Sequence, residues 1–314
     1  MPNKFEFTTV DEILKGKPVS ISESLPAIYS KLNLLRSEAT KPLPSFDFMV
    51  DKCYELVSYV PIPIHIYHDT FILRARPNEV APFTSVKDLT YNSTRPDLIK
   101  SGRFNLERES MFYGAAPIEG HNISGQFSCM FESSKDIFDN AAIWSGKAFT
   151  VGKFNVTKPI YLLVLAFYEE AFRKSLHIRN ICHPFIVAQQ KYSEEDQKKC
   201  YLFNSFFSIM AGINNEIDNT YLITTAFYHA VRRYYGDELG ILYSSSTTEN
   251  HGINIVLTPE LANGYLKLDT AIQFDMERNP VDFFNIKGMP TKHGKADKDG
   301  NFKLETITDI SLIK

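Results

Sequence analysis

The stretch Gly236–Glu260, GDELGILYSSSTTENHGINIVLTPE, constrains the fold of this chain more than any other. Two apolar runs rich in β-branched residues, GILYS and INIVLTP, read as strands fit for a core. Between them stand eight polar residues, SSTTENHG, where an ordinary hairpin needs only a short Gly or Asn turn. The flanks ask for burial in a sheet. The polar run is then either a solvated loop or a set of hydroxyl and amide groups offered to a ligand.

The rest of the chain supplies partners for these strands. HIYHDTFILRAR, MFYGAA and PIYLLVLAFY read as strands, and the last is apolar enough for a central position. SESLPAIYSKLNLLRSEA sets Leu25, Ile28, Leu32 and Leu35 on one helical face behind serine caps. SFDFMVDKCYELVSYV does the same with Phe48, Cys53, Leu56 and Val57, and PIPI ends it. SEEDQKKCYLFNSFFSIMAG is a third helix. NTYLITTAFYHAVRRYYG is a fourth, capped by Asn219 and stopped by Gly236. The irregular order of strands and helices predicts α+β rather than a regular β-α alternation. The expected boundaries are a helical N-terminal segment over 1–63, a main domain over 64–262, and strands and hairpins over 263–314 packed on that domain. DKDGN, Asp297 to Asn301, is expected to be a hairpin turn, because its glycine stands at the fourth place rather than the sixth that a calcium loop needs.

A net charge of −3 gives no general attraction to nucleic acid. The longest apolar run, PIYLLVLAF, is far too short to span a bilayer. The N-terminus carries charges where a signal peptide needs its apolar region, so a bacterial, cytoplasmic protein is expected. Cys53, Cys129, Cys182 and Cys200 are widely spaced and read as buried thiols rather than a disulfide framework. His177, Cys182 and His183 fit no familiar zinc spacing and read as structural, so no metal is expected.

Three segments place polar groups at strand ends: FILRARP with Arg74 and Arg76; SGRFNLERESMFYGA, followed by SCMFESS; and the polar run after GILYS. The phosphate-loop, Rossmann, zincin and hydrolase-elbow motifs are all lacking from the sequence. Taken in order, FILRAR, SGRFN, MFYGA, the glutamate that ends FSCMFE, and GILYSSS…GINIVLTP resemble the RES domain family, from about Ile72 to about Pro259. That resemblance implies an ADP-ribosyltransferase-like fold, with a mixed, mainly antiparallel split sheet and packed helices. It also implies action on NAD as substrate, often as the toxin of a toxin–antitoxin pair, with an antitoxin protein as partner. It assigns catalysis to Arg74, Glu132 and Ser245, and cofactor binding to Arg103, Asn105, Tyr113 and Asn254. Glu119 stands as a rival carboxylate because the spacer before Glu132 is long. Ser244 and Ser246 rival Ser245, because YSSS stands where Tyr-Pro-Ser is more usual.

The residue types suit that chemistry. Arginine forks grip diphosphate bidentately, and a tyrosine stacks on a ring. A carboxylate near the sugar carbon favours the cationic, oxocarbenium-like transition state of nicotinamide–ribose cleavage over the ground state. Nicotinamide leaves NAD without protonation, so one carboxylate suffices. The acceptor, whether water, phosphate or a protein side chain, is left open by the residues. Each residue also has a plain structural reading: paired arginines, a core tyrosine, a helix-surface glutamate, strand-end serines. A nucleotide-binding or interaction module without catalysis on the same fold is the alternative, as is a structural protein docking a partner through the aromatic helix CYLFNSFFSIM.

Overall fold

The computed structural model describes residues 20–78, 82–117, 122–134, 146–212, 220–278 and 286–308. Glu119 and Asn219 lie outside them. The described chain is mixed α and β with mostly antiparallel strands, and falls into two compact units made of interleaved segments. Elements are numbered along the chain.

The first unit draws on Met1–Ile66, Pro96–Glu109 and Tyr161–Ser246. Helix α1 (Leu25–Ala39) starts where the Ser24 hydroxyl accepts the Ala27 N–H, and buries Ile28, Leu32 and Leu35. Helix α2 (Phe46–Val57) is capped by Ser45 and buries Cys53, Leu56 and Val57, as expected. Its fourth inward residue is Met49; Phe48 is only half-buried, one position off the apolar stripe. Both helices pack on α8 (Thr220–Tyr235), and α1 also meets α7 (Glu194–Gly212). Gly236, at φ +92°, takes the left-handed conformation that ends α8. Three strands complete the unit in the order β1 (Ile64–Tyr67), β5 (Ile160–Leu165), β6 (Leu239–Ser244), and β5 and β6 run parallel. The short α5 (Glu169–Lys174) and α6 (Leu176–Gln189) follow β5. Of the aromatic residues of α7, Phe203, Phe206 and Phe207 are buried inside the unit, whereas Tyr201 is exposed. Phe203 and Phe207 are fully buried, and Phe207 stacks on Phe227 with ring centroids 3.7 Å apart. Phe203 and Phe207 are thus spent on the unit's own core, and Tyr201 is the ring of this run that faces outward.

The second unit draws on Tyr67–Arg95, Ser110–Ile160 and Thr247–Lys314. Its strands lie in the order β7 (Ile253–Leu257), β3 (Phe112–Ala115), β2 (Phe71–Pro77), β4 (Gly146–Val156), β8 (Leu266–Arg278), β9 (Ile286–Lys295), β10 (Glu305–Thr306). Every pairing among them is antiparallel where register is defined. The run expected as one strand from His65 to Arg76 is broken by a turn, with Asp69 at φ +52°. Helix α3 (Val86–Leu89) is a single turn closed by a Ser85–Asp88 capping box, and α9 (Pro259–Tyr265) follows β7. Helix α4 (Asn122–Ser133) lies on the sheet: Cys129 and Met130 enter a core with Leu73, Ala75, Ala115, Phe149, Val151, Phe274 and Met276. DKDGN forms the expected turn, with Gly300 at φ +79° and the Asp297 carboxylate accepting the Asp299 and Asn301 N–H groups. Among the described residues no helix is long and apolar enough to cross a membrane.

Candidate functional site

Glu132, Asn254, Arg74, Arg76 and Tyr113 stand in the second unit. Helix α4 ends on Glu132, and β7 begins Ile253-Asn254. Asn254 is 3% exposed in a strand whose every residue is buried, a place where Asn is normally depleted and must find a hydrogen-bond partner. Its amide donates to Glu132 Oε1 at 2.8 Å. The carboxylate itself is half-buried and sits in the last turn of its helix, where the negative end of the helix dipole disfavours an anion. A negative charge in that position draws its support from Asn254 rather than from the helix.

Small residues along α4 allow the close approach behind this pairing. A Cβ at Gly125 would stand 3.0 Å from Ala116 O and 3.1 Å from Leu73 Cδ1. Glycine therefore lets the helix backbone press onto the ends of β2 and β3.

Arg74 lies on β2. It donates Nε–H to Leu89 O at 2.9 Å and Nη1–H to Tyr113 O, and its guanidinium lies 5.2 Å from the Phe112 ring centre. Burial, with the like charge of Arg76 nearby, lowers its pKa to about 10, so it remains cationic at neutral pH. It joins α3, β2 and β3 through backbone carbonyls. Tyr113, on β3 opposite Val256, is half-buried. Arg76 donates to Asp88 O at 2.8 Å. Cys129, in the same core, has its thiol pushed up to about 12 by burial, which leaves it a poor nucleophile. All four cysteines are buried free thiols, as the spacing predicted.

The first unit holds the others. Gly102–Asn105 forms a tight loop closed by Gly102 N–H to Asn105 O at 3.0 Å. Asn105 donates its amide to Lys100 O and Leu106 O, so this side chain shapes the loop. Phe104 anchors it, fully buried and edge-on to Tyr228 and Tyr243. Arg103 is thereby buried to 7% exposure. It donates to Ala211 O at 2.8 Å and Ser246 Oγ at 3.0 Å, with its guanidinium 5.1 Å from the Tyr221 ring centre and 5.9 Å from that of Tyr243. Ala211 is in the last turn of α7, so the negative end of that helix dipole faces the cation. Thr224 and Thr225 hydroxyls bond the Arg103 carbonyl, fixing the backbone too.

The three serines divide their roles. Ser244 is buried and shares a short hydrogen bond with the Tyr168 hydroxyl; Ser245 is fully buried; Ser246 meets Arg103. Tyr168, Tyr221 and Tyr243 were not singled out in the sequence, because single tyrosines in an aromatic-rich chain carry no spacing signal. Beyond them, the polar run turns back through Glu249 and Asn250, both left-handed at φ +51° and +69°, a conformation seldom adopted by residues other than glycine.

The structure thus brings Glu132 onto Asn254, Arg74 onto the Tyr113 backbone, and Arg103 onto Ser246. The sequence matches no family model, and no curated protein matches it.

Proposed function

We propose that this chain consumes NAD, cleaving the nicotinamide–ribose bond on an ADP-ribosyltransferase-like fold of the RES type. The observation that carries the reading is the Asn254–Glu132 hydrogen bond: a fixed, half-buried carboxylate held by a buried amide at a helix end that does not favour it. As the C–N bond breaks, its electron pair leaves with nicotinamide and positive charge grows on the ribose. A pre-oriented carboxylate lowers the energy of that transition state more than that of NAD itself. Asn254 keeps the carboxylate oriented, and Tyr113 is assigned to the nicotinamide ring or a ribose oxygen. By the same resemblance Arg103 takes diphosphate charge, Ser245 orients the ribose, and Asn105 acts through the loop that carries Arg103. Arg74 is given a positioning part, since its Nη1–H binds the carbonyl of Tyr113 while its Nε–H binds Leu89 O.

A second reading, a nucleotide-binding module without catalysis, is favoured by the side chain of Arg74, a residue assigned to catalysis, being turned onto backbone carbonyls. Incubating the purified protein with NAD, with and without inorganic phosphate, and quantifying nicotinamide and the ADP-ribose product separates the two. Release supports the enzyme, and a phosphorylated product names phosphate as acceptor. Calorimetric NAD binding without release selects the module. The toxin role, with an antitoxin as partner, predicts growth arrest on expression that Arg74→Ala relieves.

A further inference from the structure

The loop leading into β7 meets α4 one turn before Glu132. Ser128 is 1% exposed, and its Oγ has no hydrogen-bond partner among the described residues. A Cβ added to Gly252 would overlap that oxygen, and would stand 2.8 Å from Thr248 Oγ1 and 3.2 Å from Ser128 Cβ. Gly252 is not in the left-handed region, so the position asks for glycine on grounds of space rather than backbone conformation. Its N–H also donates to Thr248 Oγ1 at 2.8 Å. Gly252 is therefore pinned from its own loop and closed over by the helix.

The spacing of this contact matters. Ser128 precedes Glu132 by four residues, about 6 Å of helix rise. Gly252 precedes Asn254 by two, about 6.6 Å of strand. The Ser128–Gly252 approach and the Glu132–Asn254 hydrogen bond are thus two matched rungs between α4 and the start of β7.

We propose that Gly252 and Ser128 are positioning residues, whose contact sets the register of α4 on β7 and so keeps the Glu132 carboxylate on the Asn254 amide. The catalytic consequence rests on the NAD reading above; the register itself does not. Adding one methyl at Gly252 pushes the helix and strand apart at the first rung and lengthens the second.

The test uses the full chain labelled with ¹⁵N-asparagine, the Asn254 side-chain amide being identified by its loss in an Asn254→Ser variant. Gly252→Ala is expected to shift or broaden that resonance while the other asparagine signals stay in place. Ser128→Ala/Gly252→Ala, which removes the closest clash, is expected to bring it back towards the wild-type position. Ser128→Val adds bulk from the helix side and is expected to act like Gly252→Ala, which keeps the test open if the latter fails to fold. In the same samples nicotinamide release should show kcat reduced about tenfold, with KM for NAD within about threefold, and partial recovery in the double variant. An unmoved Asn254 resonance in folded Gly252→Ala or Ser128→Val overturns the positioning role, whatever the activity. The expected shifts in a protein whose wild type releases no nicotinamide would uphold the register and sink the NAD reading instead.

Discussion

The Asn254 amide donates to the Glu132 carboxylate at 2.8 Å across 122 residues of sequence. Glu132→Gln keeps the shape and the acceptor oxygen but removes the charge. Nicotinamide release is expected to fall by at least ~10²-fold, the usual effect of deleting one electrostatic contact to a developing charge. NAD affinity by calorimetry should change little, because the contact matters most in the transition state.

Asn254→Asp sets a second carboxylate against the first. Two acids at that distance do not ionise together readily, so one pKa rises. The pH–rate profile should gain a limb that climbs with pH, absent from the wild type, with kcat reduced throughout the acid range. Rates measured from pH 5 to 9 check this, and a profile parallel to wild type would speak against the pairing.

Arg103→Lys removes the planar fork that reaches Ala211 O and Ser246 Oγ together while lying near two tyrosine rings. Loss of about 2 kcal/mol of stability is expected from the broken charged hydrogen bonds. Urea unfolding followed by circular dichroism measures it, and an unchanged midpoint would show that the fork is not needed.

Buried Lys199 of α7 donates to Asp196 at 2.9 Å and to Ile21 O at 3.0 Å, fastening the segment before α1. The Lys199 hydrogen bond holds the Asp196 carboxyl below its ordinary 3.8. A depressed carboxylate stabilises the fold fully above its unfolded value, and that contribution disappears as pH falls through the folded one. Asp196→Asn should therefore destabilise by about 1 kcal/mol at pH 7, since Lys199 loses its nearest carboxylate and keeps only Glu195, at 3.3 Å. The difference from wild type should hold from pH 7 to 5 and shrink below pH 4. Thermal melts across that range check the sign.

Much of this was legible in the sequence, for identifiable reasons. Serine caps and 3.6-residue periodicity mark α1 and α2; Met49 takes the inward place expected of Phe48, and Leu25, in the first turn of α1, is only half-buried. The strand GILYS and the strand INIVL stand where their β-branched runs put them. Strand β4, GKAFTVGKFNV, is harder to read because two glycines and two lysines dilute its pattern; pairing with β8 along its whole length and with β2 over Phe149–Asn155 makes it a strand. Helix α6 carries Pro184 in its interior, which argues against a helix on local grounds. Helix α9 had a readable signal in Thr258 as cap and Pro259 at the first turn. At the site, Glu132 and Asn254 were each legible as residues, but their contact was not. It depends on how closely α4 approaches the sheet, which Gly125 and Gly252 allow and no periodicity announces.

The function proposed for this site depends on the Glu132 carboxylate performing chemistry on NAD. The most direct measurement is a time course of nicotinamide release from NAD by the wild-type protein and by folded Glu132→Gln at equal concentration. Steady release by the wild type and near-background release by the variant are expected. Equal release from both, or none from wild-type protein that binds NAD, would contradict the proposed function.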